Sequence, residues 1–205
     1  MLPGHPRILT CPFCGTEKLV MTLQSGNTFG MVMWSDNKQD APMLPQVSFV
    51  QKCPHCGKYY IIERQEFKMT QEGWGGEQGL LTFDEVKEAF AQLSLEGFQD
   101  REEAIVRYML HQAYNDKYCR NGEDVPIPDE DKALFRENAR WLIENAIYEG
   151  VMRAEFYRQI GEFEAAKESL DYAEDQYKFL LQLAKTTREK IAAGDSRVFQ
   201  IDLPE

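Results

Sequence analysis

Hydrophobic and polar positions follow two different periods along this chain, and the change of period divides it. In the first 68 or so residues the apolar positions come in short runs: Leu19, Met21 and Leu23 stand against Lys18, Val20 and Thr22, with a turn at Gln24-Ser25-Gly26-Asn27. Runs at 28–34, 46–52 and 59–63 read the same way. Together they predict four short strands in a small antiparallel ribbon. Between the second and third runs, residues 35–45 form a polar turn followed by an apolar excursion bounded by Pro42 and Pro45.

The segment 71–79 holds four glycines in nine residues, which disfavours helix and strand alike and marks a boundary. Beyond it the period becomes helical. Thr82 and Glu85 form a capping box at the start of a helix carrying Phe83, Val86, Phe90 and Leu93, which Gly97 ends. Asp100 is placed to cap a second helix reaching about Tyr118, with Ile105, Tyr108, Met109 and Gln112 on one face. Asn121-Gly122, Pro126 and Pro128 break the pattern.

Asp129, Glu130 and Asp131 then place negative charge at the positive end of a third helix. Phe135, Ala139, Leu142 and Ala146 share its face, and helical character continues to about Ile160 with Gly150 as its weak point. From Gly161 a final helix shows the most regular period: Phe163, Ala166, Leu170, Ala173, Tyr177, Leu180 and Ala184 make a seam for the preceding helix or for a second copy of the chain, so a homodimer is conceivable. Gly194 suits its C-terminal cap, and residues 198–203 read as an extended tail packed back on the body. The expected fold class is α+β: a small antiparallel β ribbon over 1–70, a Gly-rich linker over 71–81, an all-α, repeat-like helical domain over 82–194, and a tail over 195–205.

Five-residue motifs supply the candidate chemistry. Cys11-Pro12-Phe13-Cys14-Gly15 and Cys53-Pro54-His55-Cys56-Gly57 bring four thiols in two C-x-x-C pairs, the spacing that lets both sulfurs of a pair reach one ion. Pro fixes φ for the turn and Gly supplies the positive φ that ends it. Cys11, Cys14, Cys53 and Cys56 are therefore the expected metal ligands. The knuckles resemble those of zinc-ribbon and rubredoxin-like domains. The resemblance implies one structural Zn²⁺ per chain, with iron and one-electron transfer as the alternative. A ribbon of about 60 residues buries too little apolar surface to be secure alone, so a metal would hold it. His55, between two ligands, is expected to point outward; His5 and His111 are isolated, His111 on a helix surface or partly buried. Cys119 reads as an incidental thiol near a helix end.

The segment from Tyr157 through Gly161, Phe163, Ala166 and Leu170 to Ala173 is similar to the middle of a tetratricopeptide repeat. That resemblance implies a helical hairpin that packs and presents a face to a protein. No second copy follows at the period of roughly 34 residues, so one repeat-like hairpin is expected rather than a solenoid.

Charge sharpens the division. Residues 1–70 carry seven Lys/Arg against five Asp/Glu, and residues 71–205 carry sixteen against twenty-nine. The acidic second part argues against broad nucleic-acid contact there. Lys18, Lys38, Lys52, Lys58, Arg64 and Lys68 leave a nucleic-acid-binding ribbon as an alternative. Gly73-Trp74-Gly75-Gly76 lacks the Lys-Ser/Thr of a phosphate loop and reads as linker; Trp34, Trp141, Tyr59 and Tyr60 read as packing residues. No Ser/His/Asp or Cys/His arrangement is found, and no catalytic residue is assigned. No membrane span or apolar leader is found, and reduced thiols fit a cytoplasmic protein. The expected function is a zinc-stabilised protein-binding or scaffold module.

Overall fold

The computed structural model describes residues 1–70, 76–120, 125–145, 150–171 and 178–202. Among the described residues nine short strands precede six α-helices, an α+β layout. The chain forms two compact units, one of Met1–Met31 with Asp40–Val106 and one of Val32–Gln39 with Arg107–Glu205. Of the expected linker, residues 71–75 lie outside the described residues; residues 76–81 are non-helical, and Glu77 bridges Val20 while Ser48 N donates to Gln78 O at 2.9 Å.

In the first unit the strands make small sheets rather than one ribbon. β2 (Arg7–Thr10) pairs antiparallel with β3 (Glu17–Val20) and with β9 (Phe67–Met69), in the order β3-β2-β9. β1 (Leu2–Pro3) pairs with β4 (Leu23–Ser25), so strand occupies part of the expected turn at 24–27. β7 (Val50–Lys52) pairs with β8 (Tyr59–Ile61), matching Val50 to Ile61 and Lys52 to Tyr59. Each of these strands spans only two to four residues, too short to set up a legible alternation.

Helix α1 (Phe83–Glu96) forms as its sequence dictates: the Thr82–Glu85 capping box is closed, Gly97 ends the helix at φ 87°, and Phe83, Val86, Ala89 and Leu93 are buried. It covers the free edge of β8, where an unpaired backbone would otherwise invite another strand. Gln92 Nε2 donates to Tyr59 O at 2.8 Å, and Tyr59 N donates to Gln92 Oε1 at 3.0 Å. Tyr59 Oη donates to Glu88 at 2.6 Å and Lys52 Nζ to Glu85 at 3.0 Å.

Helix α2 (Glu102–Tyr118) supplies residues to both units. Asp100 is not its cap; it sits at φ 41°, and the Glu102 carboxylate instead accepts from Gln99 N at 2.7 Å. Its buried positions include Val106, Leu110, His111, Tyr114 and Tyr118, while Ile105, Tyr108, Met109 and Gln112 are only half-buried, so the expected face is rotated.

In the second unit α3 (Asp129–Asn145) buries Phe135, Ala139 and Leu142 as expected, whereas Ala146 lies outside the described residues. α4 (Gly150–Gln159) packs against α3, α5 (Phe163–Asp171) and α6 (Lys178–Ala192). The single final helix of the sequence reading is thus two. Arg188 Nη2 reaches Leu170 O at 3.4 Å, which a continuous helix forbids, and the residues between them that carry Ala173 and Tyr177 lie outside the described set. Ala166, Leu170, Leu183 and Ala184 are buried. Gly194 closes α6 as expected, with Asp195 N donating to Lys190 O at 2.9 Å.

The tail then packs back through Val198, Phe199 and Ile201, all buried. Its partner is unexpected. β5 (Val32–Met33), half of a hairpin with β6 (Gln39–Asp40), receives it: Ile201 N donates to Met33 O at 2.8 Å, Ser35 N to Phe199 O at 2.9 Å, and Trp34 bridges Gln200. The expected ribbon strand at 28–34 is therefore reduced to two residues that pair with the far end of the chain.

Candidate metal centre

Each cysteine knuckle is the turn of a hairpin. β2 runs into the first knuckle and β3 leaves it; β7 runs into the second and β8 leaves it. Matching hydrogen bonds close both turns: Cys11 N to Thr16 O at 2.9 Å and Gly15 N to Cys11 O at 3.0 Å, Cys53 N to Lys58 O at 2.9 Å and Gly57 N to Cys53 O at 3.0 Å. Gly15 and Gly57 take φ 73° and 72°, where a side chain would be strained.

The two hairpins bring all four expected ligand residues together. Every pair of Sγ atoms among Cys11, Cys14, Cys53 and Cys56 lies within 4.8 Å. Cys11 Sγ stands 3.7 Å from Cys56 Sγ, and Cys14 Sγ 3.6 Å from Cys53 Sγ. Sulfurs about 2.3 Å from a central ion at tetrahedral corners would be about 3.8 Å apart, so this donor set fits a metal ion and is compatible with zinc. All four are free thiols rather than disulfides.

Burial and hydrogen bonding divide the sulfurs. Cys11 and Cys53 are buried and Cys14 and Cys56 face solvent. The Thr16 hydroxyl and then the Thr16 backbone N–H stabilise the Cys14 thiolate, bringing it down to about 5; the exposed His55 adds a further hydrogen bond to it. The Lys58 N–H favours the Cys56 thiolate, but desolvation and the neighbouring sulfurs outweigh it and push Cys56 up to about 11. Burial raises Cys11 against the pull of the Phe13 and Cys14 N–H groups. Charging four adjacent sulfurs is thus opposed by their mutual repulsion, which a bound divalent cation offsets.

An apolar layer backs the cluster: Leu9, Val20 and Tyr60 pack with Cys11 and Cys53, with Val47 and Ile62 beside them. Burial, followed by the negative sulfurs, carries the Tyr60 phenol up to about 12. Cys119 stands apart, half-buried, its thiol raised by burial.

A buried polar network in the second unit was not anticipated. Asp36, at the hairpin turn, accepts from Arg120 Nη2 at 2.7 Å and from Asn115 Nδ2 at 2.9 Å. Asn115 and His111 Nε2 both meet Gln159 Oε1, at 3.0 and 2.8 Å. Gln159 Nε2 donates to Glu155, which also pairs with Arg158, and Arg158 continues to the Asp195 carbonyl. His111, expected at or near a helix surface, is fully buried between Phe135 and Phe156. The available signal was Glu155, Arg158 and Gln159 recurring at helical spacing beside Ala154 and Phe156, a helix with polar groups on its inner face.

Comparison with known proteins finds no match: no family model, curated protein or solved structure is significantly similar to this chain.

Proposed function

We propose that the chain is a protein-binding module whose first unit is held by one structural Zn²⁺ on Cys11, Cys14, Cys53 and Cys56. The observation that carries this reading is the closed set of four thiol donors, which fills a tetrahedral shell and leaves no position for substrate. A metal enclosed in this way contributes to folding: structural zinc in small peptides is worth on the order of 10 kcal/mol at neutral pH. Large apolar side chains on the surface of the same unit, Phe29 at 80%, Leu95 at 92% and Leu80 at 67% exposure, favour a protein partner. The α4–α5 pair, with Gly161 at its turn and Ala166 and Leu170 buried, is compatible with the repeat-like hairpin. The reduced thiol set also favours a cytoplasmic protein.

A nucleic-acid role receives less support. Lys18 pairs with Glu77 at 3.0 Å and Lys52 with Glu85 at 3.0 Å, so two of the expected basic contacts are already neutralised. The exposure of Cys14 and Cys56 favours the iron alternative to this extent: electron exchange needs a metal edge open to solvent.

The test is affinity capture with the metal-loaded protein and with Cys53→Ser, each checked for retained helix. A partner recovered by the former and lost by the latter supports the reading. No partner, together with a reproducible chemical turnover, overturns it.

A further inference from the structure

The second unit contains a cavity of about 650 Å³, within the range of small-molecule sites. Its walls come from α2, residues 125–127 and α3, the end of α4 with the turn after it, and residues 196–197 of the tail. The chain is strongly acidic overall, with a net charge of −11, yet among the described residues the lining holds Lys132, Arg136 and Arg197 and no Asp or Glu.

Their pairing differs. Lys132 meets Asp129 at 3.1 Å, but that carboxylate is 98% exposed and holds the ammonium only weakly. Arg136 is exposed and has no ion-pair partner among the described residues. Deeper in the lining, Tyr114 and Phe135 stack on each other with centroids 4.0 Å apart and planes at 18°, both buried, so together with Val125, Pro126 and Ile160 they give the cavity an apolar wall. Gln159 and Asn115 also line the cavity, but each already hydrogen-bonds within the buried network.

We propose that this cavity binds an anionic small molecule, a carboxylate or phosphate carried on an apolar body, with Arg136 as the principal charge contact. A guanidinium can meet either group through two parallel N–H donors, so the shared chemistry is a pair of anionic oxygens recognised at the mouth with an apolar body further in. The inference goes beyond the proposed protein-binding role and does not depend on the metal centre.

The test is titration of the full-length, metal-loaded protein with phenyl phosphate, benzoate and uncharged benzyl alcohol, followed by amide NMR and calorimetry. Either anion should bind and shift the amides of Tyr114, Phe135 and Ser196, while benzyl alcohol should bind at least about tenfold more weakly, the scale of one charge-assisted hydrogen bond. Tighter phenyl phosphate identifies a phosphate ligand and tighter benzoate a carboxylate. Arg136→Gln, at an exposed position and so expected to fold, should weaken the anion by about tenfold, whereas Arg153→Gln, an exposed change elsewhere in the unit, should leave it within about twofold. Absence of shifts with both anions, equal binding of benzyl alcohol, or equal loss in both variants overturns the proposal.

Discussion

Arg120 Nη2 lies 2.7 Å from Asp36 Oδ2, an ion pair joining residues 84 positions apart with side-chain exposures of 6% and 0%. The Arg120 guanidinium also stacks 4.6 Å over Trp34 and donates to Asp116 at 2.6 Å. Removing Asp36 leaves the buried guanidinium with only the part-exposed Asp116 carboxylate beside it. Asp36→Ala should therefore cost about 3 kcal/mol of second-unit stability, read as a lowered urea midpoint of its helical signal. A loss under about 1 kcal/mol, the worth of an exposed pair, would show that the burial carries no such penalty.

His111 sets a pH dependence. Desolvation lowers it to about 4, with Asp36, Gln159 and Glu155 pulling the other way and Arg120 reinforcing the shift. The folded pKa lies below the unfolded value of about 6.5, so the unfolded chain takes up the proton first. Stability from this group is complete above pH 6.5, falls as pH drops towards 4, and levels off below that, by up to about 3 kcal/mol. His111→Gln should flatten that fall in urea unfolding measured from pH 7.5 to 4. An unchanged slope would mean that His111 titrates alike in both states.

Thr82 closes the capping box of α1, accepting from Glu85 N at 3.3 Å while Glu85 accepts from Thr82 N at 3.0 Å. Thr82→Ala should cost about 1 kcal/mol, and Thr82→Ser should restore most of it. Equal losses in the two variants would place the effect in the methyl group rather than the cap.

α1 belongs to the same unit as the cysteine knuckles and is stitched to β8 through Gln92 and Tyr59. A strong chelator should therefore broaden or collapse the amide signals of Val86 and Leu93 together with those of Leu9 and Val50, and leave those of Leu142 and Leu183 in place. Persistence of the Leu9 and Val50 signals after metal removal would show that the ribbon does not need its ion.

The parts legible in the sequence were those written locally. The two knuckles, the Thr82–Glu85 box, the Phe135, Ala139 and Leu142 face and the Gly194 cap each depend on residues within a few positions of one another. Strands of two to four residues, such as Leu2–Pro3 and Gln39–Asp40, carry no periodicity because pairing, not pattern, defines them. The polar core was hidden for a related reason. Asp36 in a run of polar residues reads as a polar turn until Asn115 and Arg120 are seen to meet it, and His111 reads as surface or partly buried until Phe135 and Phe156 enclose it. The last helix misled through its own regularity: one three-and-four spacing runs through the sequences of both α5 and α6, since each helix needs an apolar stripe of the same period.

The central claim, that four cysteines hold one structural zinc ion, is tested most directly by elemental analysis and an absorption spectrum of protein purified without a metal-binding tag. One zinc per chain, no visible colour, and loss of the metal in Cys53→Ser are expected. Stoichiometric iron with visible absorption, or a metal-free protein whose first unit remains folded, would contradict it.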